Sequence, residues 1–303
     1  MEGIIPVWKP RGMTSHDVVF KLRKILRTKK VGHSGTLDPD VDGVLPICVG
    51  KATKVIEYIQ DSNKVYEGEV TLGFSTETED ASGEIVSESR LSEAISIEKI
   101  DEAMALFTGE ITQIPPMYSA VKVNGRRLYD YARKGESVER PIRKAMIYSF
   151  ERTSEPVFSE GLQKWTFKVD CGKGTYVRTL AVDTGEKLGV PAHMSDLTRI
   201  KSGGFSKEDS FTLEEIALLM DLEREQEFLL PLETGVEDFP RIDLTSDMYQ
   251  VIRNGSVLPK NFFQNITVTE PIALFYQEKV VSIYGEHPSK KGLLKPIKVI
   301  RND

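Results

Sequence analysis

The chain has 303 residues, 40% hydrophobic and 28% charged, with a formal net charge of −6. That is ordinary globular composition, enough for one sizeable core and a smaller domain. No run approaches the roughly 20 apolar residues of a membrane span, and the opening MEGIIPVWKP lacks the charged-then-apolar layout of a signal peptide, so a cytoplasmic protein with no membrane partner is expected. The two cysteines, Cys48 and Cys171, form no C-x-x-C, and His16, His33, His193 and His287 lack metal-ligand spacing, so neither a disulfide framework nor a metal site is implied. Charge is unevenly spread: residues 1–54 carry ten Lys or Arg against five acids, 122–144 eight against three, and 206–240 two against eleven. Two basic stretches in an acidic chain point to a localised patch facing a polyanion.

In chain order, residues 3–8 read as a strand that ends in the basic turn Lys9-Pro10-Arg11-Gly12. A helix follows, with Thr14 or Ser15 as N-cap and Val18, Val19, Leu22, Ile25 and Leu26 at helical spacing. Next comes GHSGTLDPDVDGVLPICVGKATK, a Gly-flanked polar loop leading into the apolar run Val44–Val49. Asp38 stands before Pro39, which biases it towards an extended or turn conformation, and a loop tied to a buried segment is where a reactive carboxylate is usefully held. An ordinary Asp-Pro turn is the plainer account of the dipeptide. Asp38, Asp40, Asp42 and Gly43 also open a calcium-loop pattern, but the twelfth position is Val49 instead of Glu and no entering helix precedes it.

A short helix through Val55, Ile56 and Ile59 should end at Asp61-Ser62-Asn63. Tyr66, Gly68, Val70, Leu72 and Phe74 then alternate with polar residues as a strand, with Tyr66 on the packed side. Residues 75–89 read as a loop or hairpin with a solvated Asp80 near its tip. Ile100, Ala103, Met104 and Phe107 form an amphipathic helix that Gly109 is expected to cap. Residues 113–144 mix prolines, Asn124-Gly125 and basic residues with Tyr118, Tyr129 and Tyr131, which reads as a surface hairpin followed by a helix. Basic residues interleaved with aromatic rings are also what single-stranded RNA contacts require, and Arg126 and Arg127 are the RNA-contact candidates. Trp165, Phe167, Val169 and Cys171 alternate as a strand that enters a helix over 175–188 closed by Gly189, placing Tyr176 and Arg178 at a strand-to-helix turn. Residues 193–205 are strand-like, with Leu197 apolar among polar neighbours. Thr212–Glu215 is a capping box, 238–245 looks like a linker, and β-rich runs at 266–276, 279–284 and 293–300 follow a short helix.

Taken together, KPRGMTSHD, GHSGTLDPDVDGVLPICVGKATK, DSNKVYEG, GTYVRTLAVDTGEKLG and HMSDLTRIKSGGF closely resemble the bacterial TruB family of tRNA pseudouridine synthases over roughly residues 1–210. The resemblance implies an α+β fold: a catalytic domain over 1–238 with a mixed, mainly antiparallel sheet flanked by helices and an RNA-contacting insertion at 113–144. A small β-rich, PUA-like RNA-binding domain over 239–303 would follow. It also implies isomerisation of uridine 55 in the T-loop of tRNA to pseudouridine without a cofactor, by a monomer with tRNA as partner and no protein partner. The family's nucleophilic aspartate falls on Asp38, its stacking and proton-transfer tyrosine on Tyr66 and its aspartate-pairing arginine on Arg178. Tyr176 and Leu197 match positions lining the uracil pocket, Lys9 a lysine near the active site, and His33 and Asp80 residues that hold the flipped loop. Asp42 departs from the pattern, standing where a small residue is expected; an extra carboxylate there would tend to raise the pKa of Asp38.

The chemistry explains these residue types. The C1′–N1 bond must break and a C1′–C5 bond form while uracil stays bound, which asks for one ionised carboxylate acting at sugar or base. A guanidinium keeps it ionised, an aromatic phenol stacks and moves a proton, and a pocket receives an extruded base. A non-catalytic RNA-binding or RNA-folding protein could use the same basic surfaces but has no need of Asp38, Tyr66 and Arg178. A glycosidase would need a second carboxylate as general acid.

Overall fold

The computed structural model describes residues 1–263 and 268–302. In chain order the elements are β1 (Gly3–Lys9), α1 (Ser15–Ile25), β2 (Val31–His33), β3 (Asp42–Val49), α2 (Ile56–Asp61), β4 (Lys64–Leu72), β5 (Phe74–Thr76), β6 (Ile85–Glu88), α3 (Ile97–Ala105) and β7 (Gly109–Gln113). They continue with β8 (Lys122–Val123), β9 (Arg126–Arg127), α4 (Leu128–Ala132), β10 (Arg143–Arg152), β11 (Val157–Ser159), β12 (Leu162–Cys171), α5 (Val177–Leu188), β13 (Ala192–Ser202) and β14 (Phe205–Ser206). The last elements are α6 (Leu213–Asp221), β15 (Arg241–Asp243), α7 (Ser246–Ile252), β16 (Leu258–Pro259), β17 (Ile272–Tyr276), β18 (Lys279–Glu286) and β19 (Leu293–Val299). Two compact units result, one of residues 1–39, 44–60 and 208–303, the other of 40–43 and 61–207.

In the first unit, Thr14 opens α1 through a reciprocal capping box with Asp17. Val18, Val19 and Leu22 of α1 pack with Ile5 and Val7 of β1, Leu45, Ile47 and Val49 of β3, and Leu213 and Ile216 of α6. β2 pairs antiparallel with β3, His33 opposite Ile47. The C-terminal β-rich domain is a five-stranded sheet in the order β15-β17-β18-β19-β16, with a core of its own that includes Ile252, Leu274, Val281, Tyr284 and Leu294. The expected linker at 238–245 contains β15, which pairs in parallel with β17. Of the strand expected over 266–276, residues 266 and 267 lie outside the described residues, and β17 begins at Ile272.

The second unit is an antiparallel sheet in the order β13-β4-β12-β10-β7, with α5 against β13 and α3 against β10. β4 and β12 alternate buried and exposed residues, Trp165, Phe167 and Val169 facing the core. Asp42 and Gly43 pair in parallel with Thr198 and Arg199 of β13. There a Cβ on Gly43 would sit 2.2 Å from the carbonyl oxygen of Arg199, so only glycine allows this approach. Two local expectations fail. Phe74 does not extend β4, because Gly73 turns the chain (φ 119°) and Phe74 starts the β5–β6 hairpin. Gly109 does not cap α3, which closes at Leu106; its positive φ (100°) instead admits the chain to β7.

Candidate active site

Asp38 lies in the first unit, half-buried in the irregular segment between β2 and β3, and both of its neighbours are pinned. The buried Leu37 donates its N–H to Ser15 Oγ (2.9 Å) and accepts from the same hydroxyl (3.2 Å). The carbonyl of Pro39 accepts from Gly12 N (2.9 Å) and from Lys9 Nζ (3.1 Å). Lys9, at 0% exposure, also donates to the carbonyls of Pro10 (2.9 Å) and Met13 (2.6 Å). An ammonium has three donors, and these three carbonyl dipoles are among the groups that compensate its buried charge. The KPRG turn and the start of α1 thus form a frame that fixes the main chain on either side of Asp38. His33, in β2, is half-buried in the same unit.

In the second unit, Tyr66 sits on β4 opposite Val169 of β12 and Arg199 of β13, 9% exposed. Two rungs along, Leu197 pairs with Gly68, where a Cβ would meet Phe167 Cζ at 2.6 Å and Leu197 Cδ1 at 2.9 Å. Gly68 therefore lets Phe167 and Leu197 close up beside Tyr66. Tyr176 is the residue before α5, and the buried Gln113 side chain clamps its main chain, accepting from its N–H (2.9 Å) and donating to its carbonyl (3.1 Å).

Arg178, in the first turn of α5, is buried. Its Nη1 donates to the Thr78 carbonyl (2.8 Å) and lies 3.7 Å from Asp80 Oδ2, and its Nη2 donates to the Tyr118 carbonyl (3.0 Å). Asp80 is therefore not a solvated loop-tip acid. Its Oδ1 accepts from Thr78 Oγ1 (2.7 Å), Ser82 N (2.9 Å) and Ser82 Oγ (2.6 Å), which turns the other oxygen towards Arg178. The adjacent Glu79 accepts from Thr179 Oγ1 (2.7 Å), and burial raises its carboxyl pKa above the usual range. Glu79 and Gln113 lie outside the motifs read from the sequence, and their partners Thr179 and Tyr176 lie far along the chain.

Arg126 and Arg127 stand on the β8–β9 hairpin, whose turn residues Asn124 and Gly125 both have positive φ (51° and 81°). Their roles in the hairpin differ. Arg126 is held by Glu136 (2.8 Å) and stacks on Tyr131, 4.0 Å from the ring centre, whereas Arg127 donates to the Tyr129 hydroxyl at 3.3 Å. Asp42 accepts from Thr198 Oγ1 (2.6 Å), so its carboxylate is engaged on β13. Among the described residues, no three His, Cys, Asp or Glu side chains converge in a way that could hold a metal ion.

The chain is similar to known proteins over its whole length. The TruB family pseudouridylate synthase N-terminal domain matches residues 23–177, and the tRNA pseudouridylate synthase B C-terminal domain matches residues 178–237. A tRNA pseudouridine synthase B of Listeria innocua is 55% identical over 302 residues, covering 99% of this chain and 98% of the relative. The protein of the same name from Halalkalibacterium halodurans is 53% identical over 305 residues, covering 100% and 99%. Among solved structures, a chain of a Cbf5-Nop10-Gar1 complex superposes with a TM-score of 0.74 at 28% identity, covering 99% of this chain and 86% of that one. A chain of an H/ACA RNP bound to a substrate RNA containing 2′-deoxyuridine gives 0.71 at 26% identity, with 99% and 86% coverage.

Proposed function

Because the chain belongs to the TruB family of pseudouridylate synthases, we propose that it isomerises uridine 55 in the T-loop of tRNA to pseudouridine, with Asp38 as the nucleophile. The observation that carries this reading is the bracing of the Asp38 segment, where the backbone on both sides of one half-buried carboxylate is fixed by Ser15, Gly12 and a fully buried lysine. A group that must meet C1′ or the base in one orientation gains from such preorganisation. Arg178 supplies the always-charged guanidinium that keeps this carboxylate ionised and aimed. Tyr66 stacks on the extruded uracil and exchanges a proton through its phenol, while Tyr176 and Leu197 line the base pocket. Lys9 supports the nucleophile from behind, His33 and Asp80 hold the flipped loop, and Arg127 with Arg126 contacts phosphates.

The enzyme works as a monomer in the cytoplasm without a cofactor, and the C-terminal β-rich domain acts as a PUA-like RNA-binding module that adds affinity. Tritium release from a T-arm hairpin labelled at uracil C5 tests this directly, since C5 substitution expels the label. Release from the hairpin in EDTA is the expected result; binding without release would leave a protein that only holds RNA.

A further inference from the structure

We infer that Glu79, together with Thr179, is a positioning residue for Arg178; this deepens the reading given above and rests on Arg178 serving the chemistry. Three consecutive loop residues are tied to one helical turn. The Thr78 carbonyl and the Asp80 carboxylate both address the Arg178 guanidinium, at 2.8 and 3.7 Å. For residues 78 and 80 to face the same group, the chain must reverse between them, and it does so at Glu79, which adopts a left-handed conformation (φ 65°). A glutamate there is unusual, since that region favours Gly, Asn or Asp and costs other residues about 1–2 kcal/mol.

Side-chain and main-chain bonds hold it in place. The Glu79 carboxylate accepts from the hydroxyl of Thr179, the neighbour of Arg178 in α5, at 2.7 Å. Its carbonyl accepts from Met194 N of β13 at 3.0 Å. Two further features favour a carboxylate at this point. The first turn of α5, Val177-Arg178-Thr179-Leu180, carries no acid, and Tyr176 before it is not a capping side chain, so Glu79 brings negative charge to the positive end of the helix dipole. Glu79 also faces the positive fields of Arg178 and Arg140, which oppose the effect of its burial. The Glu79–Thr179 bond thus sets the distance between the loop and the helix turn that carries Arg178, and a shift of even an ångström at a reacting geometry is felt in the rate.

The test measures three quantities for each variant: the single-turnover rate of tritium release at saturating enzyme, the Kd for tRNA, and the melting temperature. Glu79→Ala and Thr179→Val should each slow the rate by about tenfold while Kd stays within about threefold. Because both remove one bond, the double variant should be no slower than the slower single variant. Thr179→Ser keeps the donor and should run within about threefold of wild type. Should Glu79→Ala fail to fold, the contrast between Thr179→Val and Thr179→Ser decides. Rates near wild type for Glu79→Ala and Thr179→Val, effects that multiply in the double variant, or losses that follow melting temperature or Kd would overturn the assignment. Failure of the underlying reading shows separately, as Arg178→Lys turning over at the wild-type rate.

Discussion

Lys9 is one of the residues that brace the Asp38 segment. It is fully buried and its ammonium donates to three main-chain carbonyls, one of them that of Pro39. Lys9→Met keeps the length of the side chain but leaves those carbonyls without their charged donor. The variant should lose about 2–4 kcal/mol of stability in denaturant unfolding, and tritium release should fall even where the protein is fully folded, because one of the bonds that hold the Pro39 carbonyl is lost. Wild-type release by a folded Lys9→Met protein would separate Lys9 from Asp38. Asp183 gives a residue-scale prediction of opposite sign. Burial, reinforced by Glu186 and Glu79, pushes its carboxyl up from 3.8 to about 6. Between those values the folded protein binds the proton more tightly than the unfolded chain, so the Asp183 contribution to stability is lost as pH rises through that window. Asp183→Asn should therefore melt higher than wild type at pH 7, with the difference shrinking towards zero near pH 4. A difference independent of pH would remove Asp183 as its source.

At the scale of elements, the two arginines of the β8–β9 hairpin are held differently. Arg126 is occupied by Glu136 and Tyr131, so Arg126→Ala should loosen the hairpin. Arg127→Ala should weaken tRNA binding and reduce the magnitude of the salt slope by about one phosphate contact, near 0.7–0.9 in log Kd against log salt. Equal salt slopes for Arg127→Ala and wild type would take Arg127 out of the phosphate contacts. The elements also show what could be read without coordinates. β4 and β12 were legible because one face of each is buried, which stamps a period of two on the sequence. The α1, α6 and α5 boundaries were legible because Thr14, Thr212 and Gly189 are local signals. β15 was not, since only Ile242 of its three residues is buried and its pairing with β17 is a tertiary event. The loop conformation at Asp38 followed from its glycines and proline. The place of Asp80 did not, because the residue that engages it, Arg178, is distant in sequence, and the same separation hid Glu79 from Thr179 and Gln113 from Tyr176.

For the molecule as a whole, the end of the chain is tied back to its beginning within the first unit. Arg301 donates to Glu2 (2.6 Å), to Glu233 (2.6 Å) and to the Val280 carbonyl (2.7 Å), while Lys54 Nζ holds the carbonyls of Val299 and Ile300 at 2.9 Å each. Arg301→Ala would leave two carboxylates without their buried partner and should destabilise the protein by about 3 kcal/mol; a change under about 0.5 kcal/mol would make the latch a surface pair. On the proposed function, substrate binding would be spread over phosphate contacts, stacking and loop shape, whereas the chemistry is assigned to one carboxylate. Asp38→Asn separates the two most directly, because the amide keeps the shape and removes the charge. Measured by tritium release from tRNA labelled at uracil C5, alongside tRNA affinity, turnover should fall below detection while Kd stays within about tenfold, or roughly 1.4 kcal/mol. A folded Asp38→Asn protein that binds tRNA and still releases tritium at near the wild-type rate would contradict the central claim.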